Sequence, residues 1–235
     1  MLDRNAVEKL IRESAERSKR ARREYHLFNN TMISVKGNIF PTIDFAQIVK
    51  EIEEHMSPHL FEEVDYIFVG SFSENDERAL EAHYEDGAIY ITSDLPTNRD
   101  YIENIVHETA HAIEGQHGLA IYGDKNIEQE FLGKRRRLAA RMTAENIDIS
   151  ALDFEDPEYS RELDFFLYKG VGYEKLNNLT LGLFNSAYAA TSLGEYFSNG
   201  FEEYFLGERS YLRKVSPQLF IKIEEIVMGD EDGYF

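Results

Sequence analysis

The sequence predicts an α+β domain with a small mixed or antiparallel sheet and a mostly helical C-terminal half, and three observations carry that reading. The stretch "VDYIFVGSF" at 64–72 is β-branched and aromatic and reads as a buried strand. The stretch "EAHYEDGAIYITSD" at 81–94 reads as a hairpin, its two short strands joined at Asp86–Gly87. After Pro96 the apolar positions change to helical spacing. Strand signals gathered ahead of a run of helical patterns suit an α+β chain better than an alternating α/β one.

Taken in order, residues 3–24 read as one highly charged helix and 44–55 as an amphipathic helix. The second carries apolar positions Phe45, Ile48, Val49 and Ile52, with Asp44 as its N-cap. The hairpin's second strand, Ala88–Thr92, is expected as an exposed edge onto which an extended peptide can pair. A helix over 98–114 follows, capped by Thr97 or Asn98 and closed near Gly115. A further helix is expected over 125–146, then an acidic loop over 147–163 that holds Pro157. Helical patterns resume near 160, interrupted at Gly170 and Gly172. Helices over 192–208 and 216–228 and a short acidic tail complete the chain. The expected division is an N-terminal helical arm, 1–60, and a principal domain, 61–235.

Composition narrows the function classes. The 235-residue chain is 43% hydrophobic and 13% aromatic, enough for a packed core. It carries a formal charge of −19, which repels phosphate backbones and argues against nucleic-acid binding. Two basic islands, "RSKRARR" at 17–23 and "KRRR" at 134–137, are expected as solvated helix faces with ion pairs, or else as docking points for an acidic partner. No apolar run is long enough for a membrane span, and the first residues lack the apolar segment of a secretory signal. The expected location is therefore cytoplasmic, or released or packaged by a route this chain does not encode. Cysteine is absent, so any metal must be held by His, Asp, Glu or Tyr.

The chemistry concentrates in "NIVHETAHAIEG", 104–115. Residues four apart share a helix face, so His107 and His111 can aim two imidazoles at one ion. Glu108 lies about 100° around the helix, beside the ion, where a general base can take a proton from an activated water. H-E-x-x-H also arises by chance in a chain this rich in glutamate, so context decides. Ile102, Ile105, Val106, Ala110 and Ile113 form a separate apolar stripe that anchors the helix without the histidines. A catalytic zinc needs a third protein ligand and an open position. In "TSLGEYFSNGFEEYF" the stripe of Leu193, Phe197, Phe201 and Tyr204 leaves Glu195 on the opposite face, with Asn199 and Glu202. The small residues Ser198, Asn199 and Gly200 leave room for close approach to the histidine helix. Tyr188 is the candidate donor to a developing oxyanion, with Tyr196 and Glu203 as a rival tyrosine–glutamate pair of the same spacing.

The combination of "IVHETAHAIEG", "YAATSLGEYFSNGF" and "YLRKVSPQLFIKIEEI" resembles the anthrax lethal-factor-like zinc metallopeptidases, gluzincin-type enzymes related to the Pro-Pro endopeptidases. The resemblance covers roughly 85–235. It implies a zincin-like fold with one Zn2+ per chain held by His107, His111 and Glu195. It also implies Glu108 as general base, Tyr188 as oxyanion donor, and a protein or peptide substrate. The chain departs from the pattern in a long stretch between His111 and Glu195, and in Asn199, where the family often has an acid. Two other functions compete with a zinc endopeptidase. One is a zincin-fold interaction protein in a larger assembly, such as a virion or toxin complex, docking through the N-terminal helix. The other is a zinc hydrolase that does not act on peptides.

Overall fold

A computed structural model describes residues 23–71 and 81–229. The helix expected over 3–24 lies outside the described residues, except that Arg23 and Glu24 open a strand instead. Of the expected tail, residues 230–235 also lie outside them. The chain divides into two compact units, one ending at Ile105 and the other beginning at Val106.

The first unit holds a mixed five-stranded sheet, β1 (Arg23–Leu27), β2 (Thr31–Val35), β3 (Tyr66–Gly70), β4 (Ala82–Glu85) and β5 (Ala88–Thr92), in the order β1-β2-β3-β5-β4. β2, β3 and β5 run parallel, while β1 and β4 pair antiparallel at the two edges. Register aligns Ile33, Ile67 and Ile89 across the sheet, and Val35, Val69 and Ile91 beside them; all six are buried. This is the period-2 pattern of strands with one face in the core. On the other face Tyr66, Phe68, Tyr90 and His83 stack as a ladder, with successive ring centroids 5.6, 5.4 and 4.9 Å apart. The Asp86–Gly87 hairpin turn forms as expected, both residues in the left-handed region at φ 46° and 82°.

Two expectations are corrected here. β5 is not an edge strand, because β3 and β4 take up both of its hydrogen-bonding sides. An extended peptide cannot add to it, and among the described residues the edge strands are β1 and β4. Nor does residue 60 separate a helical arm from the rest, since β1 and β2 belong to the same sheet as β3. Helix α1 (Phe45–His55) has the Asp44 cap expected of it, the carboxylate accepting from the Ala46 and Gln47 amides at 3.0 and 3.3 Å. Helix α2 (Asn98–Tyr122) begins at Thr97 in a reciprocal cap. The Thr97 amide and hydroxyl donate to Asp100, whose amide donates back to the Thr97 hydroxyl at 3.2 Å. The Asn98 side chain accepts from the Asp44 amide instead.

α2 does not stop at Gly115. It runs on to His117, whose non-helical φ/ψ of −110°/18° kinks it, and ends at Tyr122. Gly115 is not among the glycines with positive φ, so nothing at that position ends the helix. The second unit continues with α3 (Asn126–Ala144), α4 (Arg161–Phe165), a π-helical turn (Phe166–Val171) and α5 (Tyr173–Thr180). A 3-10 turn (Tyr188–Ala190) then leads to α6 (Leu193–Leu206), α7 (Arg209–Val215) and α8 (Pro217–Met228). α6 is the hub and touches the 3-10 turn, α3, α7 and α8. Its expected stripe of Leu193, Phe197, Phe201 and Tyr204 is buried, joined by Tyr196 and Phe205.

The basic island at 134–137 is only half solvated. Lys134 is buried with its ammonium 4.8 Å from the Tyr196 ring centroid, donating to the Val215 carbonyl and the Ser216 hydroxyl. Burial lowers its pKa to about 8 despite the nearby Glu130 charge. Arg135 is also buried, packed against the Phe131 and Phe154 rings and donating to the Asp156 carbonyl. Arg136 alone of these three behaves as expected, forking onto Glu155 from an exposed position. Among the described residues no helix is long and apolar enough to cross a membrane.

Candidate metal centre

His107 and His111 lie one turn apart on α2, in the part of the helix that belongs to the second unit. Glu195 occupies the first turn of α6. Ser192 caps that helix, its hydroxyl accepting from the Glu195 amide at 3.1 Å. In an S-x-x-E capping box the glutamate reaches back to the cap residue. Here its carboxylate goes instead to the histidines. One ligand atom from each of His107, His111 and Glu195 lies within 4.8 Å of the other two, and this group could hold a metal ion.

The orientation of the rings is specific. Nε2 of His107 is 3.2 Å from Glu195 Oε2, and Nε2 of His111 is 3.6 Å from Glu195 Oε1. The opposite nitrogens meet other carboxylates: His107 Nδ1 is 3.4 Å from Glu202 Oε2, and His111 Nδ1 is 3.2 Å from Glu114 Oε2. A carboxylate only accepts, so each Nδ1 carries the hydrogen. When a ring is neutral, that tautomer leaves its lone pair on Nε2, the nitrogen that faces Glu195. Ser198 Oγ also lies 3.2 Å from His107 Nε2, with the Gly194 carbonyl as its alternative partner at 3.1 Å.

Electrostatics fit a cation. Burial works to lower both histidine pKa values, yet the carboxylates outweigh it. Glu195 and Glu202 bring His107 to about 9; Glu114 and Glu195 bring His111 to about 10. Burial raises Glu195, and the two imidazoles overcome this and hold it at about 2. Its Oε2 is fully buried, with His107 Nε2 at 3.2 Å as an ionic neighbour and no conventional hydrogen bond among the described residues. A buried carboxylate, two imidazoles whose Nε2 atoms face it and carboxylates behind both rings are the group types that a nitrogen/oxygen metal site needs, and the group could hold a metal ion once the rings lose their Nε2 protons.

The remaining sequence candidates fall as follows. Glu108 is buried at 7% exposure, and its charge adds to the upward push on His111. Tyr188 sits half-buried on the 3-10 turn ahead of α6, its carbonyl accepting from the Thr191 amide and hydroxyl. Tyr196 is committed to the core, its phenol donating to Glu130 at 2.8 Å and its ring against Phe131 and Phe184. Glu203 accepts from the Glu208 amide. The rival tyrosine–glutamate pair thus has packing and capping roles. Asn199 braces the backbone, donating to the Glu195 carbonyl at 2.8 Å and accepting from the Ser186 hydroxyl at 2.5 Å.

Of the small residues on α6, Ser198 faces His107, but Gly200 faces α8, where a Cβ would collide with Leu219. Sequence reasoning missed Glu114 as a partner of the site and gave Glu202 no role, although both stood at legible spacings. Glu114 is three residues past His111 and Glu202 seven past Glu195, on the same faces. His111, Glu114, Tyr122 and Glu195 border a cleft of about 430 Å3, which Pro157, Glu158 and Tyr159 also line. Comparison with protein-family models, with characterised proteins and with solved structures finds no match.

Proposed function

We propose that the protein is a zinc-dependent endopeptidase. The observation that carries this reading is the paired orientation of His107 and His111, with both Nε2 atoms toward Glu195 and both Nδ1 atoms toward a second carboxylate. The ligand types suit zinc, which favours tetrahedral sites with three protein ligands and one open position in catalysis. Bound there, zinc supplies Lewis acidity, polarising the scissile carbonyl and lowering the pKa of water to ~7. The fold that goes with this proposal is zincin-like.

The chain's own residues supply the rest. Glu108, held beside the ligands on the same helix, takes the proton of the attacking water and delivers it to the leaving amine. Tyr188 donates its phenolic hydrogen to the oxyanion that develops on the substrate carbonyl. Glu114 and Glu202 keep the imidazoles in the tautomer that leaves Nε2 for the ion.

The deciding experiment is metal content by mass spectrometry on protein purified without added metal or chelator, for wild type, Glu195→Ala and Glu108→Ala. About one zinc per wild-type chain, clearly less in Glu195→Ala and an unchanged amount in Glu108→Ala, supports the site. A peptide-library digest then shows cleavage by wild type and none by Glu108→Ala. Equal cleavage by Glu108→Ala sinks the mechanism. A wild type that takes up no zinc after reconstitution moves the protein to the competing reading, an interaction protein in a larger assembly. Zinc uptake without cleavage of any peptide points to a different hydrolase.

A further inference from the structure

We infer that Glu114 and Tyr122 form a positioning pair that fixes the His111 ring for its metal, so that a tyrosine outside the ligand set governs metal affinity. The inference rests on the metal-centre reading above. Glu114 Oε2 takes the His111 Nδ1 hydrogen at 3.2 Å, and the Tyr122 hydroxyl donates to the other oxygen, Oε1, at 2.6 Å. Both oxygens of one carboxylate are thereby used, one on the ligand and one on the anchor. A carboxylate held at both ends cannot rotate away from the ring, which is how an outer partner sharpens a ligand's direction.

The anchor is itself held. The Tyr122 ring meets Phe197 of α6 edge-on, with centroids 6.2 Å apart and planes at 74°. Burial, and then the Glu114 charge, raise its pKa, so the phenol remains a hydrogen donor at any ordinary pH. The space for Glu114 depends on one residue of α6. A Cβ at Gly194 would stand 3.0 Å from both Glu114 oxygens, closer than nearly all real contacts. Gly194 thus has a steric reason to be glycine, one residue before the ligand Glu195, and its φ is not positive. Tyr122 stands beyond the His117 kink, at the end of α2, and the hydrogen bond to Glu114 ties that last turn to the ligand-bearing part of the helix.

The geometry also permits a rival role. Tyr122 borders the same cleft as His111 and Glu195, so it could touch a substrate directly. The two roles separate on metal affinity measured without substrate. Wild type, Tyr122→Phe, Gly194→Ala, Glu114→Gln and Glu114→Ala would be titrated with Zn2+ against a chromogenic chelator. The visible absorption of each Co2+-loaded protein would also be recorded, with circular dichroism to check folding.

We expect Tyr122→Phe and Gly194→Ala to weaken Zn2+ binding about 10-fold and Glu114→Ala about 100-fold. Glu114→Gln should recover part of that loss, because its amide oxygen still accepts from Nδ1. The cobalt bands should shift in Tyr122→Phe. If Glu114→Ala does not fold, Tyr122→Phe, which removes one oxygen atom, carries the test. Unchanged affinity and unchanged cobalt bands in folded Tyr122→Phe overturn the pair. If its peptide turnover alone falls, Tyr122 is a substrate contact. A wild type that binds neither ion removes the metal reading and this inference together; normal wild-type binding with normal variants removes only this one.

Discussion

At the scale of single residues, the metal-free site is a competition between protons and an ion. His107 and His111 have pKa values raised from 6.5 to about 9 and about 10, so their pairing with carboxylates stabilises the metal-free fold fully below about 6.5. That contribution is lost as pH rises through about 9 to 10. Glu195, lowered from 4.5 to about 2, contributes above about 4.5 and loses its contribution as pH falls toward 2. Metal needs neutral rings, so its own contribution grows in the opposite direction, with release of the histidine protons. The expected result is a rise in Tm on adding zinc that is small near about pH 6 and larger near about pH 8, read by thermal scans with and without the ion. A gain that is flat or shrinks with pH would contradict the site. The two tyrosines divide just as cleanly. Tyr188→Phe should cut peptide turnover about 100-fold with full zinc content. Tyr196→Phe should leave turnover and zinc intact and cost about 1 kcal/mol of stability in denaturant melts, through loss of its bond to Glu130. The opposite pattern would exchange their roles.

Among the elements, helices were more legible than the sheet, for physical reasons. α6 and the histidine-bearing part of α2 announce themselves through local information: 3.6-residue apolar spacing, a Ser192 cap and the four-residue step between His107 and His111. β1 and β2 offer only five residues each, and β2 takes its parallel partner β3 from far along the chain while β1 pairs with β2. Strand order is also non-local, and for that reason Ala88–Thr92 looked like an edge although β3 and β4 enclose it. Burial of Lys134 and Arg135 was unreadable, because their partners are carbonyls at Val215 and Asp156. Gly200 and Gly133 show the same dependence on neighbours. A Cβ at Gly200 runs into Leu219, whereas one at Gly133 in α3 meets nothing within 4 Å. Gly200→Ala should therefore destabilise by about 1–3 kcal/mol. Gly133→Ala should gain about 0.5–1 kcal/mol from reduced backbone freedom in the unfolded chain. Urea midpoints that move together in one direction would refute this contrast.

For the molecule as a whole, 44 acidic residues against 25 basic ones give a charge of −19. Self-repulsion on that scale opposes compaction and is screened by salt. The Tm of the metal-free protein should rise by a few degrees between about 20 mM and about 300 mM sodium chloride. A fall would mean that favourable ion pairs, such as Arg136–Glu155, outweigh the repulsion. The central place of β5 has a consequence in time. Its antiparallel pairing with β4 closes across Asp86 and Gly87 alone, and hairpins of that kind form in about 1–10 μs. The parallel pairing of β2 with β3 must first close a loop that contains all of α1, and such non-local closures are slow. The β4–β5 ribbon, like the β1–β2 hairpin that closes across residues 28–30, therefore forms ahead of the parallel pairings. Until β3 docks, β5 exposes the row of unpaired N–H and C=O groups that the finished fold covers, so the search for β3 is the interval in which a freshly made chain is most open to sticking to its neighbours.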